Sequence, residues 1–274
     1  MDTVGNSVAG LRLRAAVEQE QFRLCYQPQI DPRTGRVVGA EALLRWLDGS
    51  GRLVGPEHFF EALEATGLIV PVGDWAFRRV AEDCRAWQRL GLPRLKIGLN
   101  VSPTQLAPDL IEPMIERLQE LQACCDVQLE ISGRFLLDAP DWLIRSLHTL
   151  RFAGADIAIQ DFGVDDSIHR QLWAMPVDTL KIHRSFVARM ADPEVDEELA
   201  GMLMLARAFR LGSVAEGVET EVQLKRLAEL RCERSQGFFH SPAMPADRFE
   251  WTLRVAQCAR GGSGPQGAAV VYDA

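Results

Sequence analysis

The sequence lacks the features that would mark it as a membrane protein or a general nucleic-acid binder. No apolar run approaches the roughly 18 residues that a membrane-spanning helix needs. The N-terminal segment MDTVGNSVAGLRLRAA lacks the basic-then-apolar order of a secretory signal. Positive charge is also scarce, because 30 lysines and arginines stand against 38 acids and give a formal net charge of -8. We therefore expect no membrane span and no nucleic-acid partner.

Several short motifs are missing as well. The six cysteines form no CxxC pair, and Cys124 and Cys125 are adjacent, which suits neither a zinc site nor a disulfide framework. The five histidines are scattered, without HxxxH or HxH spacing. No GxGxxG follows the first predicted strand, and GxxxxGK[ST] and GxSxG are absent, so two common nucleotide folds and serine hydrolase chemistry have no support. Buried or half-buried free thiols, and with them a cytoplasmic location, are the favoured interpretation.

Extended and helical patterns alternate along most of the chain. Strand patterns occupy 22–30, 36–46, 94–102, 126–132, 155–163, 177–183 and 213–219, and helical patterns occupy 56–67, 74–91, 108–122, 141–154, 195–212, 220–231 and 245–257. Six or more strand–helix units in about 250 residues favour a closed barrel over an open sheet. We predict an α/β fold, a TIM-type (β/α) barrel, over residues 12–258, with tails at 1–11 and 259–274.

Polar side chains lie at or near the C-terminal ends of separate predicted strands. Barrel enzymes collect their functional groups at that end, so these side chains are expected to share one mouth. Carboxylates, amides and a lysine together suit a divalent metal with oxygen ligands and a phosphate substrate. The residues are Glu41, Asn100, Glu130, Gln160, Asp161, Lys181, Glu216 and Gln236.

Seven short segments, in this order, resemble the motif set of the EAL domain family, whose members are phosphodiesterases of, or receptors for, cyclic di-GMP. The resemblance covers about residues 12–257 and implies a TIM-type barrel in which the first strand can run antiparallel. It implies that an active member holds two Mg²⁺ or Mn²⁺ ions, which activate a water that opens one phosphodiester to give pGpG. The segments are EALLRW (41–46), LNVS (99–102), LEIS (129–132), QDFG (160–163), LKIHRSFV (180–187), AEGVET (215–220) and QGFFHSP (236–242).

The resemblance also implies a role for each matching residue. Glu41, Asn100 and Glu130 match ligands of the first metal, and Asp161 matches a ligand of the second. If the protein is active, Lys181 and Glu216 are its catalytic residues: Lys181 matches the lysine that orients the attacking water, and Glu216 an acid near the second metal, with Glu219 as a supporting acid. The residues implied to contact the nucleotide are Gln27, Glu41, Leu43, Arg45, Asn100, Asp161, Lys181, Glu216 and Gln236, and Arg45 among them matches a phosphate-binding arginine.

Three linked departures from the family pattern concern the metal site. The family's first aspartate in DDFG bridges both metals, and here it is Gln160. An amide oxygen carries no charge and is a poor bridge between cations only about 3.5–4 Å apart. The glutamate that holds the following loop in the family is Gly133, and that loop has the sequence FGVDDSI. A further departure is His183, which stands where the family usually has aspartate.

These departures favour lost catalysis and leave three functional hypotheses. The first is a catalytically silent or very weak receptor that binds cyclic di-GMP and needs no metal. The second is an active phosphodiesterase in which Gln160 and water replace the aspartate, with Mg²⁺ or Mn²⁺ as cofactor. The third is a module that no longer uses the nucleotide and regulates a protein partner.

Overall fold

A closed barrel of eight strands forms the centre of the described part of the protein. The structure is a computed structural model that describes residues 8–137, 139–164, 172 and 175–261. The fold that the sequence predicts is confirmed. The strands are β1 (Phe22–Asp31), β2 (Arg36–Leu47), β3 (Leu53–Val54), β4 (Lys96–Asn100), β5 (Asp126–Ser132), β6 (Asp156–Phe162), β7 (Thr179–Ile182), β8 (Gly212–Ala215), β9 (Arg234–Ser235) and β10 (Met244–Pro245).

Strand β1 is the antiparallel member of the barrel. It pairs antiparallel with β2 along its length and with β9 at Ile30 and Ser235, which closes the ring. The neighbouring barrel strands from β2 through β9 pair in parallel, in chain order. The connection from β1 to β2 is a tight turn in which Gly35 adopts a φ of 65°. Such a short turn can join only antiparallel strands, because a parallel pair needs a long crossover.

Helices cover the outside of the barrel. Helix α3 begins five residues before the predicted start at residue 74, because Pro71 falls in the first turn, where its missing N–H is not needed, and because Ile69 and Val72 are buried. Helix α1 begins at Val8, within the predicted N-terminal tail, and residues 262–274 of the predicted C-terminal tail lie outside the described residues. The helices are α1 (Val8–Glu18), α2 (Phe60–Ala65), α3 (Ile69–Arg89), α4 (Ile111–Gln122), α5 (Asp141–Phe152), α6 (Arg184–Ala188), α7 (Pro193–Ala208), α8 (Glu221–Glu229) and α9 (Ala246–Gly261).

The main apolar core lies between the barrel strands and the surrounding helices. A smaller cluster packs α1, α2 and the start of α3 against β1. All six cysteines are free, and five are buried, as the sequence predicts. Cys258 is exposed, against the prediction, because it lies near the C-terminal end of α9. Among the described residues, no helix has the length and apolarity to cross a bilayer.

The interior of the barrel is polar, which positions the site. Barrel interiors are ordinarily filled by branched apolar side chains. Here Gln128 and Glu130 on β5, and Thr179 and Lys181 on β7, are all buried. Because side chains two apart on a strand share a face, each of these strands presents a polar ladder to the interior. The Gln128 amide donates to the Thr179 hydroxyl at 2.9 Å.

Candidate functional site

Strand register brings the predicted polar residues to one end of the barrel. Asn100 on β4 lies opposite Glu130 on β5, and Glu41 on β2 lies opposite Gly98, two residues before Asn100. Because the strands are parallel and their hydrogen bonds fix the register, side chains at the same level converge. Gln160 on β6 lies opposite Ser132, two residues beyond Glu130, and therefore stands one layer nearer the mouth.

Strand β6 delivers two consecutive polar residues to the mouth. Adjacent residues on a regular strand point to opposite faces. Here the β6–β7 pairing is irregular between Ile159 and Phe162, and Asp161 adopts a left-handed φ of 57°. Gln160 and Asp161 therefore both line the same cavity, and Asp161 Oδ2 accepts a hydrogen bond from the Ser132 hydroxyl at 3.1 Å. A left-handed non-glycine residue at a strand end is a strained arrangement typical of functional sites.

The Lys181 ammonium stands among three carboxylates. Its Nζ lies 2.8 Å from Glu41 Oε2 and 2.9 Å from Glu216 Oε1, and it also forms an ion pair with Glu130 Oε2. The Lys181 side chain is 0% exposed, so these acids replace its water shell. The positive charge of Lys181 is therefore neutralised by carboxylates inside the protein.

The pKa values of these four titratable groups are shifted in different directions. Burial, together with the neighbouring Glu41 charge, raises the pKa of Glu130 to about 8, against the lowering effect of Lys181. Burial also raises the pKa of Glu216. Burial opposes ionisation of Glu41, yet Lys181 and two amide donors hold its pKa below the ordinary value. Burial alone would lower the pKa of Lys181, but the three carboxylates raise its pKa well above normal. Near neutral pH, Lys181 is therefore charged, and Glu41 is the acid beside it that ionises most readily.

The orientation of the Gln160 amide is fixed by the carboxylates. Ionised Glu41 can only accept hydrogen bonds, so Asn100 directs its Nδ2 to Glu41 Oε1 at 2.9 Å and leaves its Oδ1 as an acceptor. Gln160 Nε2 then donates to Asn100 Oδ1 at 2.6 Å and to Glu130 Oε2 at 2.8 Å. Turning the amide over would place its oxygen against two acceptors. Gln160 therefore supplies N–H groups to two oxygens that match metal ligands in the EAL pattern.

One oxygen of this network has no partner. Glu130 Oε1 is buried and makes no hydrogen bond to the described residues. It lies against Gly98 on the neighbouring strand, where an added Cβ would come within 2.0 Å of it. The missing side chain at Gly98 is therefore what makes room for the Glu130 carboxyl group.

Replacing Gly98 with alanine is expected to lower the free energy of unfolding by about 1–3 kcal/mol, the usual effect of overpacking a filled interior. The carboxyl group cannot move away without breaking its contacts to Lys181 and Gln160. Chemical denaturation of both proteins measures the difference. Gly201→Ala is the matched control, because that helical glycine has open space around it and alanine there is expected to stabilise by up to about 1 kcal/mol. Equal stability of Gly98→Ala and the natural chain would contradict this account of the packing.

The donor set fits one hard cation better than a pair. Oxygens of Glu41, Asn100 and Glu130 are ligands that Mg²⁺ or Mn²⁺ prefers, and the unpartnered Glu130 Oε1 is available to one ion. A second ion beside the first requires an anionic bridge, and Gln160 is neutral. In the part of the chain that the structure describes, no three acidic, histidine or cysteine side chains form a ready metal cluster. Lys181 stands among the acids instead.

A cavity of about 490 Å³ opens above this network. Its size is within the range of small-molecule sites, roughly 300–1,000 Å³. Glu41, Leu43, Asn100, Glu130 and Asp161 line it, together with residues of α2, α3 and the turn after β5. The polar residues predicted from the sequence therefore meet a space that can admit a ligand.

Gln27 and Gln236 flank this network on the β1 side. Gln27 lies opposite Glu41 in the β1–β2 pair, and its amide donates to the Ser241 carbonyl at 3.2 Å. Gln236 Nε2 donates to Glu41 Oε2 at 2.7 Å. Both amides therefore stand beside the acid at the centre of the predicted site.

Three other residues of the predicted site do not line the cavity themselves. Arg45 is four residues beyond Glu41 on β2, about 13 Å along the strand, and donates to the Leu44 carbonyl at 2.8 Å. It is not among the described residues that line the cavity. Glu219 is exposed at the start of α8. His183 caps helix α6 by accepting the Ser185 N–H at its Nδ1, which gives this departure from the family pattern a structural role.

A buried polar layer that the sequence did not predict lies beneath the site. Gln29 Nε2 donates to Gln236 Oε1 at 3.0 Å, and Arg234 Nη1 donates to Gln29 Oε1 at 2.8 Å. This buried chain connects the barrel interior to Gln236 and thence to Glu41. The available signal was spacing, because Gln29 and Arg234 each lie two residues from a predicted site residue on the same strand face.

The geometry and the motifs agree with a family match. The family model for the EAL domain matches residues 11–243. The chain belongs to the EAL domain family. This EAL domain is 35% identical over 246 residues to the cyclic di-GMP phosphodiesterase NbdA of Pseudomonas aeruginosa, a match that covers 89% of this chain and 31% of NbdA.

Two further comparisons concern one relative. The bifunctional diguanylate cyclase/cyclic di-GMP phosphodiesterase MucR of Pseudomonas aeruginosa is 33% identical over 240 residues, covering 86% of this chain and 35% of MucR. The solved PaMucR phosphodiesterase in its c-di-GMP complex superposes with a TM-score of 0.81 at 32% identity, covering 88% of this chain and 99% of that structure. The EAL domain described here thus spans about a third of the length of both curated relatives.

Proposed function

We propose that this EAL domain binds cyclic di-GMP at the barrel mouth without requiring a metal and hydrolyses it very slowly or not at all. The choice of nucleotide rests on the relatives, which are named as cyclic di-GMP phosphodiesterases, and on the solved complex of one of them. The location follows from the cavity above Glu41, Asn100 and Glu130.

The Gln160 amide carries this proposal. It donates to Asn100 Oδ1 and Glu130 Oε2, so these oxygens are satisfied by the chain's own N–H groups. An aspartate at the same place would set electron-rich oxygens against one another at hydrogen-bond distance and would need a cation between them. Glutamine therefore stabilises the mouth without the ion that an acid would require.

The residues that match metal ligands in the EAL pattern support the phosphodiesterase alternative. Glu41, Asn100, Glu130 and Asp161 are present, and Glu130 Oε1 has no partner in the described structure. EAL phosphodiesterases depend on divalent metals, and a bound Mg²⁺ or Mn²⁺ would lower the pKa of a water and neutralise phosphate charge. The chain's own residues would hold at most the first of the two ions, because Lys181 already neutralises acids at this place.

Other parts of the proposal concern location and partners. We place the protein in the cytoplasm, because five cysteines are buried free thiols. A protein partner is the outcome favoured if the nucleotide does not bind. Because this chain spans about a third of its curated relatives, what such a partner would control depends on the whole protein.

Calorimetric titration with cyclic di-GMP, in EDTA and again in MgCl₂, tests the proposal. We expect binding in both buffers, with dissociation constants that agree within about threefold, since no metal bridges ligand and protein. Chromatography of the titrated sample is expected to recover intact cyclic di-GMP. Binding only in MgCl₂, together with pGpG, would favour the active phosphodiesterase. Absence of heat in both buffers would favour the protein-interaction hypothesis.

A further inference from the structure

The cavity at the barrel mouth is strongly acidic. A cyclic dinucleotide carries two phosphodiester charges, so an acidic wall opposes its entry unless a cation offsets it. Lys181 cannot serve, because its side chain is 0% exposed and pairs with three carboxylates. The acids that line the cavity are Glu41, Glu57, Glu61, Glu130 and Asp161.

Arg134 is the one cation among the described residues that line this cavity. It lies in the short turn Gly133–Phe135 that follows β5 directly. Its side chain is exposed, so its charge is not already used by an internal carboxylate. No described carboxylate forms an ion pair with it within 4.0 Å.

The Arg134 guanidinium lies over the ring of the neighbouring Phe135. The guanidinium carbon lies 4.7 Å from the centre of the Phe135 ring, and both residues line the cavity. A cation over an aromatic face is attracted to the ring, while its N–H groups stay free at the edge of the guanidinium plane. Such a group is prepared for two parallel hydrogen bonds to the oxygens of one phosphate.

The position of Arg134 relates it to the altered metal site. It is two residues beyond Ser132, which lies opposite Gln160 and donates to Asp161. The turn that carries it begins at Gly133, one of the residues that depart from the EAL pattern. The arginine therefore stands on the side of the mouth where the bridging acid has been replaced by an amide.

We infer that Arg134 binds a phosphodiester of the nucleotide and supplies the positive charge that a second metal would otherwise provide. The inference rests on the proposed function. It identifies a contact outside the set of residues that the EAL motifs assign.

Titration of Arg134 variants with cyclic di-GMP in EDTA tests this inference. Arg134→Ala is expected to weaken binding roughly 10- to 100-fold, the loss expected for a hydrogen bond between charged groups. Arg134→Lys keeps the charge but loses the paired donors, so its affinity is expected to lie between those of the natural chain and Arg134→Ala. The affinity of the natural chain should decline as the NaCl concentration rises, because salt screens the contact between Arg134 and the phosphodiester. The affinity of Arg134→Ala should decline less. Arg85→Ala, an exposed arginine on α3 away from the cavity, is the matched control and should bind normally.

The possible results distinguish a failure of the Arg134 inference from a failure of the proposed function. If the natural chain binds and Arg134→Ala binds equally well with the same salt dependence, Arg134 has no such role while the receptor proposal stands. If the natural chain does not bind, both are wrong. Circular dichroism and melting temperature confirm that the variants are folded, and an exposed residue on a short turn gives little reason for unfolding.

Discussion

Replacing Gln160 with aspartate, together with Gly133→Glu, is expected to make the domain metal-dependent and to increase pGpG formation by several powers of ten. The new carboxylate, one methylene shorter than the glutamine side chain, would face Asn100 Oδ1 and Glu130 Oε2, which now accept hydrogen bonds from the Gln160 amide at 2.6 Å and 2.8 Å. Its charge would oppose Glu130 in EDTA and bind a divalent cation when one is present. A second ion supplies several kcal/mol of transition-state stabilisation, and each 1.36 kcal/mol changes the rate about tenfold.

Two measurements check this result on the same preparations. Product chromatography with MnCl₂ should show slow or absent turnover by the natural chain and clear turnover by the double variant. Thermal denaturation should show a melting temperature that MnCl₂ raises more in the variant than in the natural chain. Gln160→Asn is the matched control, because it keeps a neutral amide and should gain neither activity nor metal response. Rapid turnover by the natural chain would overturn the silent-receptor proposal.

Replacing Lys181 with methionine is expected to lower the free energy of unfolding by about 3–5 kcal/mol, the effect of removing one partner from a buried ion pair. Three carboxylates would then face one another with no cation among them. Their repulsion should decrease as they take up protons, so the deficit should be smaller at pH 5 than at pH 7.5. Urea denaturation at both pH values measures it.

The Lys181 prediction has a matched control and a rescue. Lys225→Met removes an exposed lysine paired with Glu221 on α8 and is expected to cost less than about 1 kcal/mol. MnCl₂ should stabilise Lys181→Met more than the natural chain, because the ion can occupy the place of the ammonium group. A loss below about 1 kcal/mol for Lys181→Met, with no response to pH or manganese, would show that this charge cluster contributes little.

Periodicity and strand-end chemistry predicted the architecture well. The predicted strand 126–132 matches β5, and the strand-end residues Glu41, Asn100, Glu130, Gln160 and Asp161 line one cavity at the barrel mouth. The start of α3 was missed because Pro71 and Gly73 look like helix breakers, whereas burial of Ile69 and Val72 favours the helix. Local propensity is a weak guide where tertiary packing decides.

The site required distances that no sequence pattern gives. A lysine that matches a catalytic group does not reveal that three acids surround it. The glutamine in QDFG does not reveal which way its amide points, which depends on Glu41 through Asn100. Motif matching selected Arg45, whose strand neighbours Leu43 and Leu44 line the cavity, and passed over Arg134, which lines it directly. Both outcomes depend on where a side chain lies relative to a space formed by several strands.

Anomalous diffraction from crystals grown with cyclic di-GMP and MnCl₂ tests the central claim most directly, because it locates both nucleotide and metal. We predict an intact nucleotide in the mouth, and at most one manganese peak, beside Glu41, Asn100 and Glu130. Two manganese peaks about 3.5–4 Å apart next to Gln160, with a cleaved nucleotide, would contradict it.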